Sequence, residues 1–167
     1  STASQSRLAG SEIGASLAAL FAPAAPEAVV LFATVSHDAK TLVAELERAL
    51  GARTTIVGCS IQGAFGAEEV VEGGYFAAAM AFGGNELRVA TAVARDIDVD
   101  TRAKGEAAGR EIAERLGREP KALVVFYDPL TGTNVERFLD GLAARVACPI
   151  VGGGASHDVG PMIRTFQ

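Results

Sequence analysis

The feature that most constrains the fold of this chain is a pattern of residues that occurs twice. Phe32 in the first copy corresponds to Phe126 in the second, a spacing of 94 residues, and Gly58 corresponds to Gly152 at the same spacing. Each copy holds an apolar run, an amphipathic stretch and a second apolar run that ends in glycine. Such runs are typical of strands buried in a parallel sheet, and the amphipathic stretch is typical of a helix. The two copies, 27–63 and 121–157, therefore predict two duplicated βαβ units.

The segment between the two copies predicts an antiparallel hairpin followed by a helix. Tyr75–Phe82 and Leu87–Ala94 are strand-like runs separated by a turn that contains glycine. The spacing of apolar residues then predicts a helix from about Thr101 to Leu116. Gly105 and Gly109 lie inside that helix and weaken it by about 1 kcal/mol each relative to alanine, which indicates close packing against a neighbour. The predicted fold class is α/β, with a mixed, mostly parallel sheet built from the two βαβ units and joined by this hairpin and helix.

The repeat also sets the expected domain organisation. Residues 1–26 predict an N-terminal helix and a lead-in, because apolar residues recur at helical spacing before two prolines. Residues 27–167 predict a single α/β domain that contains the internal repeat. Residues 162–167 resemble the beginning of a strand, so this domain is expected to be truncated at its C-terminus. An unpaired terminal strand favours pairing with another copy, so one hypothesis is a purely structural interaction module that forms homo-oligomers.

Composition and charge exclude several classes of protein. Apolar residues make up 49% of the chain and charged residues 21%, a composition that folds around a core. The net charge is −5 and basic residues alternate with acidic ones, so no nucleic-acid partner is expected. The longest apolar run is far shorter than the roughly 20 residues of a membrane helix, so no membrane partner is expected. The two cysteines, Cys59 and Cys148, favour a reducing compartment, and the expected localisation is cytoplasmic.

The duplicated units predict a ligand site at one edge of the sheet. Right-handed crossovers bring the loops after parallel strands to the same edge, where α/β proteins bind their ligands. Glycine-rich loops let backbone amides approach a ligand, and the first turns of helices favour an anionic group such as a carboxylate. The predicted ligand-binding residues are Ser36, His37, Gly58, Cys59, Ser60, Gln62, Tyr127, Asp128, Thr131, Asn134, Gly153, Gly154 and Ser156.

Cys59 carries an enzymatic alternative. A thiol at the end of a strand can act as a nucleophile on a small metabolite, with His37 or His157 as the base. The other interpretation of Cys59 is a small buried thiol in a tight glycine turn. That interpretation is favoured here, and the protein is expected not to be an enzyme.

Two further patterns bear on the chemistry of the predicted edge. The histidines and aspartates show no recognised spacing of metal ligands, and no phosphate-binding glycine motif is present, so no metal or cofactor is expected. The polar cluster of Asp128, Thr131 and Asn134 suits an amino or hydroxyl group of a ligand. It suits turn formation and helix capping equally well.

Several segments together resemble a known family. These segments are Val29–Ser36 with its capped helix, the Val57-Gly58-Cys59-Ser60 turn that continues to Gly63, the hairpin, and Pro149–Ala155 with its three glycines. In this combination the chain is similar to the N-terminal part of FIST domain proteins, from about Ser11 to Gln167. The resemblance implies an intracellular sensory module of bacterial signalling proteins that binds small ligands such as amino acids. It also implies a signalling partner or a downstream C-terminal domain that receives the output.

Overall fold

The computed structural model describes residues 1–65 and 70–156. The chain divides into two compact units. Of the described residues, the first unit contains Ser1–Leu87 with Ala155 and Ser156, and the second contains Arg88–Gly154. Both units combine helices with parallel strand pairs, and the first also has an antiparallel strand in the same sheet. The predicted mixed α/β fold class is therefore confirmed.

The first unit is built on a three-stranded sheet. Its elements are α1 (Ser6–Phe21), β1 (Ala28–Ala33), α2 (Ala39–Leu50), β2 (Thr55–Ser60), β3 (Gly63–Phe65), β4 (Val70–Glu72) and β5 (Ala77–Phe82). The strand order is β2-β1-β5, in which β1 is parallel to β2 and antiparallel to β5. Alternate residues of β1 are buried with one face of α2, and the core of this unit includes Val29, Leu31, Leu42 and Leu46.

The sequence contains residues that begin and end helix α2. Asp38 caps the first turn, where its Oδ1 accepts a hydrogen bond from the Thr41 N–H at 2.7 Å. Gly51 ends the helix at φ 88°, a conformation that favours glycine. The loop between β1 and α2 is therefore short, and it lies at the carboxyl end of β1.

Helix α1 packs on α2 through small residues. Ala9, Gly10 and Gly14 are buried, and Cβ atoms on the two glycines would lie 2.8 and 2.7 Å from the Cβ atoms of Glu45 and Ala49. Helix α1 lies within residues 1–26, where the apolar spacing predicts a helix. Leu20 is 79% exposed, because the close contact is made by glycine and alanine.

The second unit pairs two strands and two helices. Its elements are α3 (Thr101–Leu116), β6 (Leu123–Tyr127), a short 3₁₀ helix (Pro129–Thr131), α4 (Val135–Ala143) and β7 (Ile150–Gly154). Strands β6 and β7 are parallel. The core cluster contains Ala108, Leu123, Leu142 and Val146. Helix α3 has the predicted bounds.

Helices α3 and α4 approach each other at glycines on both sides. A Cβ on Gly105 would overlap the carbonyl oxygen of Phe138, and a Cβ on Gly141 would overlap the carbonyl oxygen of Arg102. The close packing predicted for Gly105 is confirmed. The backbones can come this near only because neither residue has a side chain.

The two units have the same strand register. Leu31 pairs with Gly58 in the first unit, and Val125 pairs with Gly152 in the second, each residue separated from its counterpart by 94 positions. A Cβ on either glycine would overlap the carbonyl oxygen of its paired residue. In both parallel strand pairs, the close approach of the two backbones therefore requires glycine. These features agree with a duplicated βαβ unit, which stays a prediction.

The predicted hairpin after Tyr75 is wrong. Strand β5 forms as expected, but Leu87–Ala94 is not a strand, and β5 pairs with β1 instead. Alternation of apolar and polar residues produces a strand only where a neighbouring backbone offers hydrogen bonds. Val93, on the apolar side of that alternation, is 72% exposed. A short hairpin that the sequence analysis missed lies earlier, where β3 pairs with β4.

None of the helices in the described part of the chain is long and apolar enough to cross a membrane.

The glycine contact between α3 and α4 yields a test of packing within one helix. We expect Gly105→Ala to lower the free energy of unfolding by about 1–3 kcal/mol, because the added methyl meets backbone that cannot move aside. Gly109→Ala is the matched control: its methyl meets the Arg145 Cβ at 3.0 Å, and it gains about 1 kcal/mol of helix propensity. Urea unfolding followed by circular dichroism measures both. Equal stability of the two variants would contradict the packing described here.

Candidate functional site

Polar side chains are buried at the carboxyl edge of the first unit. Thr34 follows β1, Ser60 ends β2, and both are fully buried. The Thr34 hydroxyl donates to the Gly74 carbonyl oxygen at 2.8 Å and accepts from the Phe76 N–H at 3.2 Å. Thr34 therefore fastens the segment before β5 to the end of β1.

His37 lies at the same edge and is only 3% exposed. Its Nδ1 lies 3.2 Å from the Ser6 Oγ, and its ring meets the ring of Tyr75 edge-to-face, with centroids 5.4 Å apart. Its Nε2 is buried and has no hydrogen-bond partner among the described residues. Burial lowers the pKa of His37, and the positive charge of the Ser1 amino group lowers it further. At neutral pH the imidazole is therefore uncharged.

The first turn of α2 is already capped by the protein. The hydrogen bond from the Thr41 N–H lowers the pKa of the Asp38 carboxyl, so this group is ionised at neutral pH. One of the free N–H groups expected to attract an anionic ligand is thus occupied by Asp38. Ser36, beside it, is exposed.

Cys59 is 4% exposed, and burial raises the pKa of its thiol to about 11. The hydrogen-bond and ring partners of His37 are Ser6 and Tyr75, and Cys59 is not one of them. A protonated, buried thiol is a poor nucleophile. The other proposed base, His157, lies outside the described residues.

The remaining predicted residues of this edge have structural contacts. The Ser156 N–H donates to the Ser60 carbonyl oxygen at 2.8 Å. The Gln62 side-chain amide donates to Glu72 at 3.4 Å across the β3–β4 hairpin. Gly58 is held against Leu31, as described above. Thr34, His37, Ser60 and Ser156 therefore belong to one edge, and Gln62 extends away from it along the hairpin.

The carboxyl edge of the second unit is a capped turn. Asp128 Oδ1 accepts from the Leu130 N–H at 2.8 Å, and the Asp128 carbonyl oxygen accepts from the Thr131 hydroxyl at 2.8 Å. Asn134 caps α4 by accepting from the Arg137 N–H at 3.3 Å. Of the two interpretations of this polar cluster, the contacts favour turn formation and helix capping.

The three glycines at the end of β7 have different surroundings. Gly152 is packed against Val125 and has φ 150°. A Cβ on Gly154 would lie 3.1 Å from the Tyr127 ring, whereas one on Gly153 would meet no atom of the other described residues within 4 Å, its two chain neighbours aside. Of these three glycines, Gly153 is the one at which a side chain would fit.

A groove of about 410 Å³ lies between α2 and β2 in the first unit. Its lining is mostly apolar, with Lys40 and Glu47 as the charged members, and it includes Gly58 and Cys59. An apolar floor with a few polar groups is typical of small-molecule sites.

Comparison with protein families identifies the chain. The sequence model of the FIST N domain matches residues 27–167. The chain belongs to the FIST N domain family. FIST domains are sensory domains of signal transduction. Comparison of this FIST N domain with curated proteins and with solved structures gives no match.

Three residues of this FIST N domain take part in the edge but were absent from the prediction: Ser6, Thr34 and Tyr75. Thr34 could have been found from the sequence, because a threonine at the end of an apolar run is a polar group that must find a partner. Ser6 and Tyr75 are 31 and 38 positions from His37, and no local pattern connects them. Within the described residues no group of three or more His, Cys, Asp or Glu side chains is placed to hold a metal ion.

The β7 glycines allow a matched test of this FIST N domain. We expect Gly152→Ala to lower the free energy of unfolding by about 2 kcal/mol or more, because its φ and its contact with Val125 both exclude a methyl group. Gly153→Ala should leave stability within about 0.5 kcal/mol, since its Cβ enters open space. Thermal unfolding of both variants checks this. A Gly153→Ala variant as unstable as Gly152→Ala would refute the assignment.

The buried thiol makes a second prediction. With a pKa of about 11, Cys59 in the native protein should react with iodoacetamide at pH 7.5 at least about 50-fold more slowly than in the urea-unfolded chain, because both ionisation and access are reduced. Peptide mass spectrometry separates Cys59 from Cys148, which is less buried. Native Cys59 labelled faster than in the unfolded chain would instead support the nucleophile hypothesis.

Proposed function

We propose that this FIST N domain is a sensory domain that binds a small ligand, an amino acid or a small carboxylate, as input to signal transduction. The ligand binds at the carboxyl edge of β1 and β2. The output passes to a signalling partner or to a downstream C-terminal domain. The two free cysteines favour a reducing compartment, so we place this activity in the cytoplasm.

One observation carries the proposal. Of the four buried polar side chains among the described residues, three lie at this edge: Thr34, His37 and Ser60. The fourth, Thr54, lies at the opposite end of β2 and donates to the Pro26 carbonyl oxygen at 2.9 Å. Burying polar groups is costly, so their concentration at the edge where parallel strands end, which is where α/β proteins bind their ligands, supports a binding role.

The character of the edge supports binding rather than catalysis. The thiol of Cys59 is protonated at neutral pH, and the described contacts of His37 do not include it. We therefore propose that no covalent step takes place at this edge. A ligand would act by binding one arrangement of the edge more tightly than another, and its effect is limited by that difference in affinity.

Binding can be tested by titration calorimetry of the 167-residue chain against the twenty free amino acids, acetate, pyruvate and succinate. We expect at least one of them to bind. Thr34→Val should weaken that binding about tenfold or more, because it releases the segment that Thr34 holds beside His37.

Thr54→Val is the matched control, since it removes the same hydroxyl from another buried threonine at the opposite end of β2. Its affinity should stay close to that of the original chain. Absence of binding for every probe would refute the proposed ligand class. Equal weakening by both substitutions would refute the proposed location.

A further inference from the structure

The hydrogen bonds around Ser6 bear on which nitrogen of His37 carries the proton. The Ser6 Oγ accepts from the Asp38 N–H at 2.9 Å and lies 3.2 Å from the His37 Nδ1. In the tautomer with the proton on Nε2, the Ser6 hydroxyl donates to Nδ1, and in the other tautomer Nδ1–H donates to the second lone pair of Ser6. The first arrangement uses Ser6 as both donor and acceptor, and it is the one that the inference below requires.

With the proton on Nε2, this N–H is a buried donor. Its nitrogen is shielded from solvent and has no hydrogen-bond partner in residues 1–65 and 70–156. A buried polar group left without a partner is destabilising, and such groups in native proteins call for an explanation. The partner of an N–H donor must be a hydrogen-bond acceptor. A carbonyl or carboxylate oxygen can accept, whereas an ammonium group cannot.

The Tyr75 side chain is the aromatic neighbour of the His37 ring. Its ring lies against the His37 ring, yet the residue is 45% exposed. Thr34 holds the backbone on both sides of it, through the Gly74 carbonyl oxygen and the Phe76 N–H. The backbone at Tyr75 is therefore fixed, and the ring can move by side-chain rotation alone.

We propose that His37 Nε2–H is the donor that receives a carboxylate oxygen of the ligand, and that the Tyr75 ring turns aside to admit it. This inference rests on the proposed function and names the chemical group by which the ligand is recognised. Ser6 is a positioning residue, because it fixes the tautomer of His37. The carboxylate shared by free amino acids and small organic acids is the feature that the site selects.

The first experiment needs no ligand. The chain has two histidines, so ¹⁵N-histidine labelling with a His37→Gln variant assigns the His37 ring signals directly. We expect protonated Nε2 and unprotonated Nδ1 at pH 7.5, and a signal for Nε2–H that exchanges faster with water in Tyr75→Ala than in Tyr75→Phe. A proton on Nδ1, or equal exchange in the two tyrosine variants, would overturn the inference.

The second experiment adds the same amino acids and carboxylates. We expect binding of a carboxylate to shift the Nε2 resonance of His37 in the original chain. His37→Phe keeps a ring beside Tyr75 but has no donor, and should weaken binding about 10- to 100-fold. His37→Gln keeps an N–H donor near the Nε2 position and should retain most of the affinity.

The outcomes separate this inference from the proposed function. A carboxylate that binds without moving the His37 resonance overturns the role of His37 and leaves the sensory proposal standing, as does full affinity in a folded His37→Phe variant. Absence of binding by every probe refutes the proposed function, and the role of His37 as the ligand's donor falls with it.

Discussion

The parallel pairing of β1 with β2 is the constraint on which the first unit depends. The pairing requires glycine at position 58, because a Cβ there would overlap the Leu31 carbonyl oxygen. This register brings the two strands to an end at the same edge. Thr34, His37 and Ser60 are buried together there because the strands end together. The second unit has an equivalent contact between Gly152 and the Val125 carbonyl oxygen. The same type of backbone approach therefore occurs once in each unit.

The edge of the first unit and that of the second differ in what their polar groups do. Asp128 and Thr131 hydrogen-bond within the turn before α4, and Asn134 caps α4 itself, so their hydrogen bonds serve local structure. At the first edge the His37 Nε2 is buried and has no hydrogen-bond partner within the part of the chain that the structure describes. A cluster whose hydrogen bonds are satisfied within the protein offers few partners to a ligand. A buried polar group without a partner is available to bind one. This difference locates the proposed sensory site in the first unit.

Much of the fold could be predicted because its signals are local. The bounds of α3 follow from apolar spacing, and the glycines inside it indicate the close contact that Gly105 makes with Phe138. Pairing between distant strands has no such signal. Leu87–Ala94 alternates as a strand does, yet β5 pairs with β1, which precedes it by more than forty residues. The choice of partner depends on packing across the sheet, which residue patterns do not contain.

The sequence by itself determined the α/β class, the positions of the helices, the glycines that permit close backbone contact, and the family. Each depends on residue type at short spacing, which is where the physics of helices, turns and buried strands acts. Only the tertiary structure decided that His37 lies between Ser6 and Tyr75, that Cys59 is buried with a raised pKa, and that Gly153 faces open space. Those properties arise from distances between residues far apart in the chain, and such distances exist only once the elements have packed.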